Sequence, residues 1–239
     1  MFYFWLGLFF LAVLQLSVLS TTIYLHRSVT HKGVELHPAV AAFFHLWIVL
    51  FTGIVPREWA GVHRKHHQFS DKEGDPHSPY LLGLWTVLFG NAILYRRVAN
   101  DPATVRRYTP DYKPTVVDRI PRQHLLLFAG MGIFVALFGW AWGVAAYLAH
   151  GAVYILLNAS INSVCHMIGY RNFDNLATNL KSLALITGGE ALHNNHHEYP
   201  TASRFSMRPG EIDPAWPVIR LLELAGWAKT KPVRVAQAA

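Results

Sequence analysis

Three histidines stand within five positions in "HNNHH" (193–197), and the same H-x-x-H-H form occurs in "HRKHH" (63–67). An imidazole is polar and titrates near neutral pH, so crowding several together has an electrostatic cost unless something uses the ring nitrogens. On a helix, positions i, i+3 and i+4 fall within one stripe about 100° wide. Each motif is therefore expected to aim three rings the same way and to leave Arg64 and Lys65 in solvent. "HRSVTH" adds His26 and His31, and "NSVCH" adds His166. His26 and His31, five apart, would lie about 140° apart around a continuous α-helix. Their convergence requires the helix to end near His26 and the chain to bend. The other five of the 14 histidines, His37, His45, His77, His124 and His150, are scattered, and all but His77 are expected to serve packing.

Nine clustered imidazoles exceed what one metal takes. A structural zinc has four ligands, and a catalytic zinc has three plus water. Nine suit two metals with four or five protein ligands each and open positions left over. Imidazole suits zinc, copper, iron and nickel alike, so the ligand type leaves the element open. A soluble carboxylate-bridged di-iron bundle needs two E-x-x-H pairs and two more glutamates. Only Glu190–His193 has that spacing, which excludes that architecture. The single Cys165 excludes an internal disulfide and a thiolate metal site.

The elements that must position these rings are apolar. The 239 residues are 52% hydrophobic and 15% charged, where about 25% charged is usual for a soluble domain. No charged residue precedes Arg27, and none occurs in the 48 residues between Arg122 and Arg171. The first stretch exceeds the roughly 20 apolar residues that span a bilayer. It lacks a basic start and a small-residue cleavage site, so it reads as a retained span and not a signal peptide. The second stretch could form about 72 Å of helix, enough for two crossings. "FGWAWG" (138–143) is the expected turn, with Trp140 and Trp142 at the interface. Residues 39–56 are also apolar, but His45 and the closing Pro56 fit an interfacial or re-entrant helix better than a crossing.

The expected fold is one all-α integral membrane domain over 1–239. It has three spans, about 2–25, 123–140 and 143–161, the interfacial helix 39–56, and a helical cap from 57–122 and 162–239. All 21 Lys and Arg then share one side, which the positive-inside tendency makes cytoplasmic. Every histidine group lies at the same end of a membrane segment. The net charge of +7 needs no nucleic acid, because basic residues beside spans anchor to lipid headgroups.

In order along the chain, the H-x-x-x-x-H after the first span, "EWAGVHRKHHQFSDKEGDPHSP", "NSVCHMIGYRNF" and "GGEALHNNHHEYP" resemble the motifs of membrane fatty-acyl desaturases of the acyl-CoA and acyl-lipid Δ9 type. The resemblance covers nearly the whole chain. It implies a helical membrane domain capped by a cytosolic region that holds two iron ions. By position, the ligands it implies are His26, His31, His63, His66, His67, His166, His193, His196 and His197. Asn162 matches an asparagine that holds a metal through water. Asp75 and His77 match a "DPH" element, and Glu190 the acid before the last motif. These three are expected behind the ligands, since a metal-bound histidine usually donates its other N–H to such a partner. Trp59 is a candidate wall of an acyl tunnel, or else an interface anchor. No catalytic residue is implied beyond the metal ligands.

The implied reaction is O₂-dependent insertion of a cis double bond, at Δ9, into a saturated chain carried on CoA, a carrier protein or a phospholipid. Animal members have a further spanning helix before the H-x-x-x-x-H helix, so three crossings are expected here and not four. "HPAV" (37–40) does not replace an "HPGG" haem signature, so a fused cytochrome domain is not expected. A separate ferredoxin, rubredoxin or cytochrome b5-like donor is expected instead. The expected location is a bacterial inner membrane with the site on the cytoplasmic face. Two other readings share these features. A lipid or carotenoid hydroxylase or ketolase would yield an oxygenated product in place of an alkene. A membrane metal carrier would need polar groups within the spans, which hold little beyond His150 and Asn158.

Overall fold

The structure is a computed structural model that describes residues 1–231; the cap segment expected over 232–239 lies outside the described residues. Helix α1 (Phe2–Ser20) is apolar on every side and passes without a break into a π-helical segment, Thr21–Thr30. Strand β1 (Val34–Leu36) leads to α2 (Pro38–Phe51), whose first turn is capped by His37, the ring Nδ1 accepting from the Ala39 amide at 3.3 Å. Gly53, at φ 69°, and Pro56 redirect the chain through 90° into α3 (Pro56–Phe69). Helices α4 (Pro79–Leu82), α5 (Leu84–Ala99) and α6 (Pro102–Tyr108) follow.

Two short 3₁₀ turns, Val116–Arg119 and Gln123–Leu126, precede the hairpin of α7 (Leu127–Phe138) and α8 (Trp140–Asn162). The remaining helices are α9 (Val164–Met167), α10 (Lys181–Ile186), α11 (His193–Glu198) and α12 (Ala215–Leu224). Strand β2 (Ala228–Thr230) pairs antiparallel with β1, Val34 opposite Thr230. The described residues are thus mostly helical, with one small sheet that the all-helical expectation omitted.

Among the described residues, two continuous helices are long and apolar enough to cross a bilayer, Phe2–Thr30 and Trp140–Met167. The expected middle crossing is the shorter apolar helix Gln123–Phe138, about 24 Å against a hydrocarbon core of about 30 Å. Its turn to α8 is a single residue, Gly139 at φ 78°, so α8 begins at Trp140 and not at 143. The expected interfacial run 39–56 is helical only to Phe51 and breaks before the right-angle bend. Leu8, Leu11, Phe128, Leu137, Leu148 and Leu156 are exposed on the outer faces of these helices, a surface suited to lipid.

Close backbone contacts hold the bundle. A Cβ at Gly143 would stand 2.5 Å from Val135 Cα, and one at Gly130 would stand 2.0 Å from the Leu50 carbonyl oxygen. Deep in the bundle His150 is buried and hydrogen-bonds Ser17 Oγ at 3.2 Å, which also accepts from Trp47 Nε1 at 3.2 Å. His150 therefore ties α8 to α1 and α2, the packing role expected of it. Behind the histidines, Arg27 and Asp213 form a fully buried ion pair at 3.0 Å, and the guanidinium lies 3.9 Å over the Phe205 ring.

Candidate metal centre

The π-helical segment explains how His26 and His31 meet. In a π-helix an amide reaches the carbonyl five residues back, and His31 N–H bonds the His26 carbonyl at 3.0 Å. Residues five apart then share a face, and the two ring centroids are 4.9 Å apart. The expected bend after His26 is therefore corrected: the helix widens there and continues to Thr30.

The nine histidines gather into two sets. The ligand nitrogens of His26, His31, His63, His67 and His196 all lie within 4.8 Å of one another, as do those of His66, His166, His193 and His197. Each H-x-x-H-H motif is shared between them, which corrects the expectation of three rings aimed one way. On α3, His63 and His67 enter the first set and His66 the second. On α11, His193 and His197 enter the second and His196 the first. The reason is angular: residues four apart differ by about 40° and stay together, whereas the member between diverges enough to reach the neighbouring set. Arg64 is also corrected. It is half-buried, donates to the Val29, Thr30 and Tyr108 carbonyls and pairs with Asp111, tying α3 to the π-helical segment.

Carboxylates stand behind the rings. Glu190 Oε2 lies 2.5 Å from His26 Nδ1, and the other Glu190 oxygen accepts from Thr22. His66 Nδ1–H donates to both Asp75 oxygens, at 2.9 and 3.0 Å, and the His77 amide donates to the same carboxylate at 3.0 Å. Burial alone would push Asp75 up, but the hydrogen bond from His66 holds it down to about 2. His77 stacks on His66, centroids 4.5 Å apart, and forms a group with His66 and Asp75. Asp71, which the motif reading passed over, accepts from His166 Nδ1–H at 2.7 Å and from Ser78 at 2.8 Å. Its signal was its spacing, an acid four residues before Asp75 in a segment already carrying the DPH element.

Asn194 and Asn195 between the α11 ligands were also missed. Their side chains point away and lock α11 in place. Asn194 donates to the Phe173 and Ala177 carbonyls, and Asn195 donates to the Phe205 carbonyl and to Glu211. A helix of six residues has little stability of its own, so this network supplies its position.

The donor chemistry fits a pair of cations. His66 and His166 give their Nδ1–H to carboxylates, which leaves a lone pair on each Nε2. His166 Nε2 faces His193 Nε2 at 3.1 Å, and His66 Nε2 is buried with no hydrogen-bond partner. In the first set, His26 faces His196 at 3.0 Å and His67 faces His196 at 2.9 Å, again Nε2 to Nε2. Burial, and after it the neighbouring imidazoles, hold His31, His193, His196 and His197 well below the usual histidine range, so these rings are neutral. Converging neutral lone pairs are what a metal ion would satisfy.

Beside the rings lies a cavity of about 350 Å³ bounded by α2, α3, α5 and α8. Asn162, Glu190, His63 and His77 line it where it meets the histidines. Trp59 lines it too and stacks on His63, centroids 4.7 Å apart and planes 12° apart. Of the scattered histidines, His45 is buried and bonds Thr115 and Gln123, each at 2.7 Å, and His124 is exposed.

Two facing histidine sets beside a cavity, in a bundle with helices of membrane-spanning length, define a membrane protein whose site is compatible with binding metal ions. The particular family follows from comparison with known proteins. The fatty acid desaturase family profile matches residues 2–220, and the chain belongs to that family. It is 34% identical to an acyl-CoA 5-desaturase of Anemone leveillei, covering 94% of this chain and 70% of the relative. It is 30% identical to an sn-1 stearoyl-lipid 9-desaturase of Synechocystis sp., covering 93% and 70%. It is 28% identical to Delta-9 acyl-lipid desaturase 1 of Arabidopsis thaliana, covering 91% and 72%. The chain is an oxidoreductase, a fatty-acyl desaturase of the membrane.

Proposed function

We propose that the chain uses O₂ and two iron ions to insert a cis double bond at Δ9 of a saturated fatty-acyl chain. The observation that carries this reading is the pairing of five and four convergent histidines at one end of the cavity. His26, His31, His63, His67 and His196 would hold one iron, and His66, His166, His193 and His197 the other, with Asn162 reaching a metal through water. When bound, the irons would supply the oxidising power that an unactivated C–H bond demands and that no acid–base side chain provides.

The chain's own residues do the rest. Glu190, Asp71 and Asp75 orient the rings and keep their outer N–H groups engaged. Trp59 and the apolar wall hold the acyl chain and exclude water. Relatives include both 5- and 9-desaturases, and the position at carbon 9 is our reading of the motif set. Arg96, Arg97, Arg106 and Arg107, all exposed, supply a positive face for an acidic external donor of the ferredoxin, rubredoxin or cytochrome b5-like kind. We place this face and the site on the cytoplasmic side of a bacterial inner membrane. Expression in cells of defined lipid profile, with double bonds mapped in their fatty acids and iron measured in the purified protein, tests the reading. An alcohol product, or no bound iron, would reject it.

A further inference from the structure

The cavity beside the rings has a smaller neighbour. A recess of about 20 Å³ lies between α1, α8 and the turn after α10, lined in part by Val18, Leu157 and Thr187. Thr21, Asn158, Ile161 and Glu190 border both this recess and the large cavity. Glu190 also meets His26, which sets the recess one side chain away from the first histidine set. Leu157 is half-buried, and Leu156 beside it is exposed on the outer face of α8, so the recess adjoins surface suited to lipid.

The polar groups of its lining are already engaged. The Thr21 and Thr187 hydroxyls and the Asn158 amide each donate to the carbonyl four residues back, at 2.9, 2.8 and 2.9 Å. Thr21 Oγ1 also meets Tyr154 Oη at 2.6 Å, and Glu190 is held by His26 and Thr22. A buried water holds to about two to four polar partners, and this lining has few left to offer. A small apolar gas needs none, and transfer of an apolar solute out of water is favourable.

We propose that the recess is the entry by which O₂ passes from the bilayer to the metal site, apart from the path of the acyl chain. This rests on the desaturase reading and adds a route for the second substrate. An acyl chain seated in the large cavity would occupy the approach past Trp59 and His63, so a gas that arrives after it needs another way in. A diatomic molecule passes between Thr21, Asn158 and Ile161 by thermal side-chain motion.

The test uses the full-length, iron-loaded and reduced protein in detergent, with nitric oxide as a diatomic probe followed by stopped flow. Association is timed without and with bound octadecanoyl substrate, on CoA or in phosphatidylcholine, whichever the protein converts. We expect association in the wild type to survive acyl loading. In Leu157→Trp, which fills the recess, we expect association to slow several-fold only when the acyl chain is bound. The KM for O₂ should rise by a similar factor, with the acyl KM and bound iron unchanged. Association that stops on acyl loading of the wild type, or a loaded Leu157→Trp that matches the loaded wild type, would overturn the proposal. Should Leu157→Trp not fold, Leu157→Phe and the wild-type comparison decide. Crystals under xenon pressure give a reading independent of iron: xenon is expected beside Val18 and Leu157, and a recess without it would overturn the proposal. Wild-type protein that forms no alkene from either substrate would refute the desaturase reading itself, while the xenon result still decides whether the recess takes a gas.

Discussion

His66 and His196 occupy matching places: each is the member of its H-x-x-H-H motif that parts from its companions and joins the other set. Replacing either by alanine is expected to abolish turnover and lower bound iron, whereas His124→Ala, at an exposed ring, leaves both nearly intact. Activity retained in His66→Ala or His196→Ala would refute the two-metal reading. Asp71→Ala leaves His166 without its acceptor, and the expected loss of metal affinity is about 10- to 100-fold, read by titrating iron into the apoprotein. The neutral rings also set a pH dependence. His31, His193, His196 and His197 are held low by burial, so below about pH 6.5 the unfolded chain binds more protons than the folded one. Their contribution is present above that pH and lost as pH falls. Asp75, held at about 2, keeps its contribution above about pH 4. The metal-free protein should therefore lose thermal stability between pH 7 and 5. An unchanged Tm across that range would contradict neutral buried rings.

At the scale of elements, the decisive devices are a widened helix and a tight hairpin. A π-helical segment spends regular α geometry to aim His26 and His31 together, and such segments are rare and often functional. The α7–α8 hairpin depends on Gly143, where a side chain would collide with the backbone of Val135 and with the Phe134 carbonyl. Gly143→Leu is expected to lower Tm by several degrees as α7 is forced away. Gly132→Leu, where a Cβ meets nothing within 4 Å, should do far less. Equal effects in detergent would show that helix propensity and not close approach governs this hairpin.

At the scale of the whole molecule, the one-sided charge predicts topology. A reporter inserted near Asp101 and another after Ala239 should both be protected in the cytoplasm, with Met1 outside, because Lys and Arg cluster on the side of the cap. Opposite-side labelling of Asp101 and Ala239 would mean that the α7–α8 hairpin does not cross the bilayer twice. The aligned apolar outer faces of α1, α7 and α8, and the right-angle break between α2 and α3, bring every motif to one end of the bundle.

Much of the centre was legible in residue types and spacing. The long uncharged stretches implied membrane helices because a bilayer tolerates little else. The repeated H-x-x-H-H signalled metal chemistry because clustered imidazoles have no cheaper use. The family resemblance also named Glu190, Asp75 and His77 as companions of the rings, and the structure sets each beside one. What spacing could not supply was the division of labour. Whether the rings of "HRKHH" serve one metal or two depends on where α11 crosses α3, a relation between segments some 130 residues apart. The π-helical widening at Thr21–Thr30 was hidden for the same reason, since periodicity assumes one helix geometry throughout. Asn195 and Glu211 look ordinary in the sequence, Asp71 offered no more than its spacing from Asp75, and only the folded chain sets a buried carboxylate behind His166 and a polar lock behind α11. Local chemistry is written in residues, whereas the partner of each group is fixed by packing.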